Sequence, residues 1–186
     1  MDFIKKNLSA VIVAVCGLVA IILSLFLAGV IYNPEEELVS TVSLIGMIFG
    51  SGTIVMTGKN PFTGEITKEN VQLTGGGSTF ALISFVVLVI ALLIAVLAMF
   101  KDKKFSAIAG LLLIVSGVLM FLLLSAGSSI TISESLGLSQ DFTKFFEGYK
   151  LGIGAIIYAI LSILGGALGV LTSSQAKQIK SKKKKK

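Results

Sequence analysis

Residues 80–126 read FALISFVVLVIALLIAVLAMF-KDKK-FSAIAGLLLIVSGVLMFLLLSA, two charge-free runs parted by a four-residue charged break. Each run exceeds the roughly 20 apolar residues that a helix, rising 1.5 Å per residue, needs to cross a hydrocarbon core about 30 Å thick. A break this short permits only a tight turn between antiparallel neighbours. The segment therefore predicts a helical hairpin of two spans, Phe80–Phe100 and Phe105–Ala126. Working outward, Leu8–Tyr32 and Leu151–Leu171 are equally free of charge. The expectation is one membrane domain over residues 1–186, all-α in its bilayer part. Its form would be a left-handed four-helix transmembrane bundle with a short antiparallel sheet in the first outer loop.

Composition agrees with that class. Only 14% of residues are charged and 54% are hydrophobic, against about 25% charged in a soluble domain, and the mean hydropathy is +0.96. The charge deficit falls in the spans, and no segment is long enough for a separate soluble domain. Cys16 is the single cysteine, so no intramolecular disulfide can staple an outer loop. It reads as a small apolar packing residue; palmitoylation would require a position nearer the interface. The chain has no His and no Trp, and every basic residue is lysine, a composition expected of an AT-rich bacterial genome.

Lysine placement sets the direction of the spans. With both termini in the cytoplasm, the inner segments are 1–7, 101–104 and 172–186. They carry Lys5, Lys6, Lys101, Lys103, Lys104, Lys177 and Lys180, and then Lys182, Lys183, Lys184, Lys185 and Lys186. The outer loops, 33–79 and 127–150, hold only Lys59, Lys68, Lys144 and Lys150. The expected location is a plasma membrane, with N- and C-termini cytoplasmic. Two rival readings remain. Leu38–Thr57 is charge-free and would make a fifth span, although nine of its twenty residues are Gly, Ser or Thr. The first apolar run could instead belong to a signal peptide, but it is longer than the usual 7–15-residue apolar region.

Lipid tails give helices no hydrophobic reason to associate, so close backbone approach at small residues must do it. Such residues recur at alternating four- and three-residue steps. The candidate helix-packing positions are Ala14 and Gly17, Ala91 and Ala95, Gly110 and Gly117, and then Ala155, Ala159, Ser162, Gly166 and Gly169. Gly165 and Gly169 also form a G-x-x-x-G, which suits either packing within the chain or a homo-oligomer contact. No ionisable residue lies in any span, which argues against ion-coupled transport, proton relay and voltage sensing. Ser24, Ser84, Ser116 and Ser162 can each bond a carbonyl one turn back on their own helix. Tyr158 could bond across helices or reach the interface.

The first outer loop has a β signature: Leu38–Phe49 as one strand, a turn at Gly50–Gly52, Thr53–Thr57 as a second, and Glu65–Lys68 with Asn70–Leu73 as a third, open to a bulge between its two parts. The first strand is too apolar for a free face in water. Its candidate outer contact is Val42, Leu44, Ile48 and Phe49, unless the sheet covers itself. In the second loop, Phe142, Phe145, Phe146 and Tyr149 share a face at helical spacing and are expected to anchor at headgroup depth.

No constellation of catalytic, metal-ligating or cofactor-binding residues is present. There is no His, and no Lys-Ser/Thr follows Gly75–Gly77. Glu35, Glu36 and Glu37 read as a solvated acidic turn rather than a cation site. The terminal lysines are expected to contact anionic lipid at on the order of 1 kcal/mol each. Nucleic-acid contact is not expected, since no aromatic platform accompanies them.

In layout, four spans with both termini inside, a long β-leaning first outer loop and a shorter second one resemble the claudin-like tetraspan proteins. The tryptophan and paired cysteines of that family's first loop have no counterpart in Leu38–Leu73, so no residue role carries over. The resemblance implies a sheet fused to a helical bundle and an adhesion, barrier or scaffold role. The expected function is that of a non-enzymatic membrane protein acting through its outer sheet and its helices, on copies of itself or on another membrane protein. The alternative is a small channel or the accessory subunit of a transporter complex.

Overall fold

The computed structural model describes residues 7–32, 39–49, 51–59, 62–74, 78–100, 104–124 and 149–183. Helix α1 spans Leu8–Phe26 and strand β1 Ala28–Tyr32. Strand β2 covers Val39–Ser43, helix α2 Leu44–Phe49, strand β3 Ser51–Lys59 and strand β4 Ile66–Thr74. Helix α3 runs Thr79–Phe100 and helix α4 Lys104–Phe121, prolonged by a 3-10 turn at Leu122–Leu124. Strand β5 is Tyr149–Leu151 and helix α5 Ile153–Lys183. The described chain is mostly helical. Helices α1, α3 and the Ile153–Ser174 part of α5 are long and apolar enough to cross a membrane; α4 contributes a shorter apolar helix, Phe105–Phe121.

The chain divides into two units. The first holds Met1–Ile21, Ser84–Val118 and Ala159–Lys186, and is built from helices alone among its described residues. The second holds Ile22–Ile83 and Leu119–Tyr158 and contains the sheet. That sheet has five strands in the order β4-β3-β2-β1-β5, and every pairing is antiparallel.

Several expectations about boundaries need correction. Leu8–Tyr32 is not one helix, because α1 stops at Phe26 and Ala28–Tyr32 is a strand. Nineteen helical residues already reach about 28 Å, so the surplus can leave the helix. There Gly29 and the β-branched Val30 and Ile31 favour extended backbone, and β1 is paired on both sides, by β2 and β5. The last span likewise begins at Ile153 rather than Leu151, because Tyr149–Leu151 pairs with β1. Tyr149 thus sits in a strand and not on the expected aromatic helix face; Phe142, Phe145 and Phe146 lie outside the described residues. The sheet is accordingly not confined to the first loop.

Leu38–Phe49 is neither one strand nor a span. The strand ends at Ser43, whose hydroxyl accepts the N–H of Gly46 at 3.2 Å, the N-cap bond that starts a helix. Beyond it Leu44, Met47 and Ile48 fall at helical spacing, and all three are buried. The alternating assignment of faces fails because the run Leu44–Phe49 is apolar throughout, and so fits a helix packed on several sides as well as a strand. The third strand is continuous: β3 and β4 pair over nine residues, from Ser51↔Thr74 to Lys59↔Ile66, without a register shift. Ser51 and Gly52 belong to β3 rather than to a turn.

Candidate functional site

Within the helical unit, glycines let backbones touch. A Cβ built on Gly110 would stand 2.8 Å from the carbonyl oxygen of Gly166, and one built on Gly117 would stand 2.7 Å from that of Ala159. Helices α4 and α5 therefore meet backbone to backbone. Gly17 instead faces the side chain of Leu92 on α3, and Gly165 and Gly169 face Cys16 and Val13 on α1. The G-x-x-x-G is thus occupied within the chain, not left for a second copy.

Of the remaining packing candidates, Ala91, Ala95, Ala155, Ala159 and Ser162 are buried, while Ala14 is half-buried.

Hydroxyls tie the same helices together. Ser84 on α3 donates to the Ser116 carbonyl of α4 at 2.8 Å, and Ser116 donates back to the Ser84 carbonyl at 2.9 Å. Ser106 donates to Ser9, and the Asn7 amide donates to the Met99 carbonyl at 3.2 Å. The Ser84–Ser116 pair bonds across helices, beyond the local bond open to a helical serine. Thr172 and Ser174 make that local bond, each donating to the carbonyl four residues back. Among the described residues the Ser162 hydroxyl is buried with no partner. Ser84→Ala or Ser116→Ala is expected to cost about 0.6–1.7 kcal/mol, between the mean and the maximum found for hydrogen bonds between membrane helices. Ser174→Ala should be near neutral; reversible unfolding in mixed micelles measures both.

In the sheet unit, α2 is held at three points. The Leu44 N–H bonds to the Leu27 carbonyl at 3.0 Å, the Ser78 N–H bonds to the Met47 carbonyl at 2.7 Å, and a Cβ on Gly29 would sit 2.8 Å from the Leu44 Cα. Ser78 also caps α3, accepting the Ala81 N–H, and donates to the Leu123 carbonyl. Three of the four expected contact residues are therefore core. Val42, Leu44 and Ile48 are fully buried, and only Phe49, 53% exposed, stays on the surface. The first-loop surface is self-covered at those three positions: Val42 lies within the paired strand β2, and α2 turns Leu44 and Ile48 inward.

Sequence reading missed Asn7, Ser9, Ser43 and Ser78, while Ser106 falls on the small-residue seam of its span without any sign of its bond to Ser9. Ser43 and Ser78 carried a usable signal, a serine immediately before an apolar run; nothing local marks the partners of the others.

Among the described residues no group of three acidic, His or Cys side chains comes together. Lys182 and Lys183 extend the last turn of α5; Lys184, Lys185, Lys186, and Glu35, Glu36 and Glu37, lie outside the described residues. No protein-family model matches the chain, and no curated protein matches it.

Proposed function

We propose that this chain is a four-span membrane protein of scaffold or adhesion type, working through lateral contacts rather than chemistry. The observation that carries this reading is the inverted distribution of residues. Alanines and serines fill the helix contacts: Ala20, Ala81, Ala91, Ala95, Ala109, Ala159, Ser84, Ser106, Ser116 and Ser162 are all buried. Large aliphatics such as Val15, Leu18, Ile22, Leu93, Leu97, Leu111, Leu164 and Leu168 face outward. Water would reject such a surface, whereas lipid accepts it and leaves small and hydroxyl residues to join the helices.

The fourth span is α4 with its 3-10 turn, about 33 Å at the rises of the two helix types. The left-handed bundle rests on the alternating small-residue steps, and the orientation with both termini inside rests on the lysines. On that side α5 continues past Ser174 to Lys183, which would carry its lysines to anionic headgroups. The layout resembles that of the claudin-like proteins, whose adhesion and scaffold roles support this reading.

Phe49, 53% exposed on α2, is the first-loop contact through which a homo-oligomer or membrane-protein partner would be engaged. Phe49→Lys should change stability by no more than about 0.5 kcal/mol, as surface substitutions do, while abolishing crosslinked adducts in native membranes. A wild-type chain that gives no adduct under any condition would refute the scaffold reading.

A further inference from the structure

The sheet has one long open edge. Among the described residues β4 pairs with β3 alone and ends the strand order. Alternate residues of Ile66–Thr74 therefore turn their N–H and C=O away from the ladder. The opposite edge strand, β5, has only three residues. Natural edges are blunted by shortness, proline or a bulge, and β4 has none of these. It is nine residues long, contains neither Pro nor Gly, and keeps its register to the end. Its one lysine, Lys68, is offset by Glu69, so the strand has no net charge. The strands also share a direction. β1 starts at Ala28 after α1, β5 stops at Leu151 before α5, and β4 stops at Thr74 before α3. The pairings put these three helix-linked ends together, with Lys59↔Ile66 at the far end. β4 is thus rooted at Thr74 and points away from the membrane helices at Ile66.

We propose that the open edge of β4 pairs antiparallel with β4 of a second copy rooted in a facing membrane. This rests on the adhesion reading and names its contact. Strand addition to a free edge is an established mode of recognition, and an antiparallel pair about a twofold axis is self-complementary. A copy rooted in the same bilayer would present its β4 in the parallel sense. A twofold axis along the strands then sets each N–H level with the same N–H of its neighbour, and no ladder forms. The antiparallel register that uses the whole strand centres on Asn70. There Ile66 falls opposite Thr74 of the copy, Lys68 opposite Gln72 and Glu69 opposite Val71, so no like charges are opposed. One strand edge buries less than the roughly 800 Å² per partner of a stable interface. A free partner would hold on weakly through it, whereas many copies arrayed across two apposed membranes add their contacts.

The test uses full-length chains with Cys16→Ala, which removes the single native thiol. They are reconstituted in two vesicle populations whose chains bear different tags. Clustering is followed by light scattering, and thiols are oxidised after mixing. Asn70→Cys in both populations should give a mixed-tag disulfide, and so should Ile66→Cys in one with Thr74→Cys in the other. Ile66→Cys in both should give none, because antiparallel pairing holds those two positions about 27 Å apart. Asn70→Pro and Val71→Pro add a second reading. Neighbouring residues turn to opposite edges, so one proline breaks the ladder to β3 and the other blocks only the open edge. The variant that keeps the amide protection of β3 should slow clustering about tenfold or more. A mixed-tag Ile66→Cys adduct with itself, adducts confined to one tag, or clustering with no adduct would each overturn the proposal and leave adhesion standing. Wild-type vesicles that never cluster would overturn the adhesion reading, and the proposal with it.

Discussion

Gly166→Ile is expected to force α4 from α5 and to cost about 3 kcal/mol or more, at or beyond the upper end for overpacking. A Cβ on Gly166 would meet the Gly110 carbonyl oxygen, the Ile114 amide nitrogen at 3.0 Å and the Ile114 Cγ1 at 2.7 Å. The approach is mutual, since a Cβ on Gly110 would meet the Gly166 oxygen and the Val170 amide nitrogen. Backbone atoms inside two hydrogen-bonded helices have no rotamer to retreat into. The whole crossing must widen, and the dispersion contacts that hold the helices in lipid are lost with it. Gly17→Ala is the informative contrast. Its nearest neighbours are the Cδ2, Cγ and Cδ1 atoms of Leu92, the mobile end of one side chain. The gain in helix propensity, about 1 kcal/mol, should offset most of that strain. Reversible unfolding in mixed micelles should place Gly17→Ala near wild type and Gly166→Ile well below it. Equal costs would mean that backbone contact is not what holds this crossing.

That contrast shows what was legible in the sequence. The alternating small residues pick out Gly17, Gly110, Gly117, Gly166 and Gly169 without saying what each one meets. A glycine against a glycine and a glycine against a leucine look alike in one dimension. The G-x-x-x-G of Gly165 and Gly169 suits a second copy of the chain as well as it suits Cys16 and Val13. Hydroxyls were harder still: the local alternative for a helical serine is always available, so Ser84 and Ser116 give no sign that they bond across helices. Partners so far apart in sequence are written only in the packing.

The apolar segments were legible, but not their ends. Absence of charge marks a segment withdrawn from water and does not distinguish a helix from a strand paired on both edges. Ala28–Tyr32 continues a charge-free helix without any charged break, and only the β-branched residues after Gly29 hint at the change; in Tyr149–Leu151, Lys150 marks the end of the apolar run but not the strand. Leu44–Phe49 failed for the opposite reason. Its neighbours are so rich in Val, Thr and Ile that a single helical turn and a half, capped by Ser43, is absorbed into the strand reading. Val42, Leu44 and Ile48 were then read as surface, although a helix folded back on β1 buries them.

The junction of those two unforeseen strands carries the second large effect. Gly152→Val is expected to strip β5 from β1 and to cost about 3 kcal/mol or more, again at the limit for overpacking. The Gly152 N–H donates to the Gly29 carbonyl at 2.8 Å. A Cβ there would meet the Ala28 oxygen, with the Ala28 and Gly29 carbonyl carbons at 2.8 and 2.9 Å. These are all backbone atoms of a strand pinned on its other edge by β2, so β1 cannot yield without moving the sheet. The three-residue β5 can, and it should be the part that leaves. Amide exchange should then accelerate in peptides covering Ala28–Tyr32 and Tyr149–Leu151 while β3 and β4 keep their protection. Gly64→Ala separates this steric effect from plain conformational strain. That glycine has nothing within 4 Å but a φ of 72°, so a Cβ costs about 1 kcal/mol through backbone strain alone. Its exchange pattern should change only at the turn. Unaltered exchange in β1 after Gly152→Val would show that β5 does not depend on this contact, and that the start of α5 is held by other means.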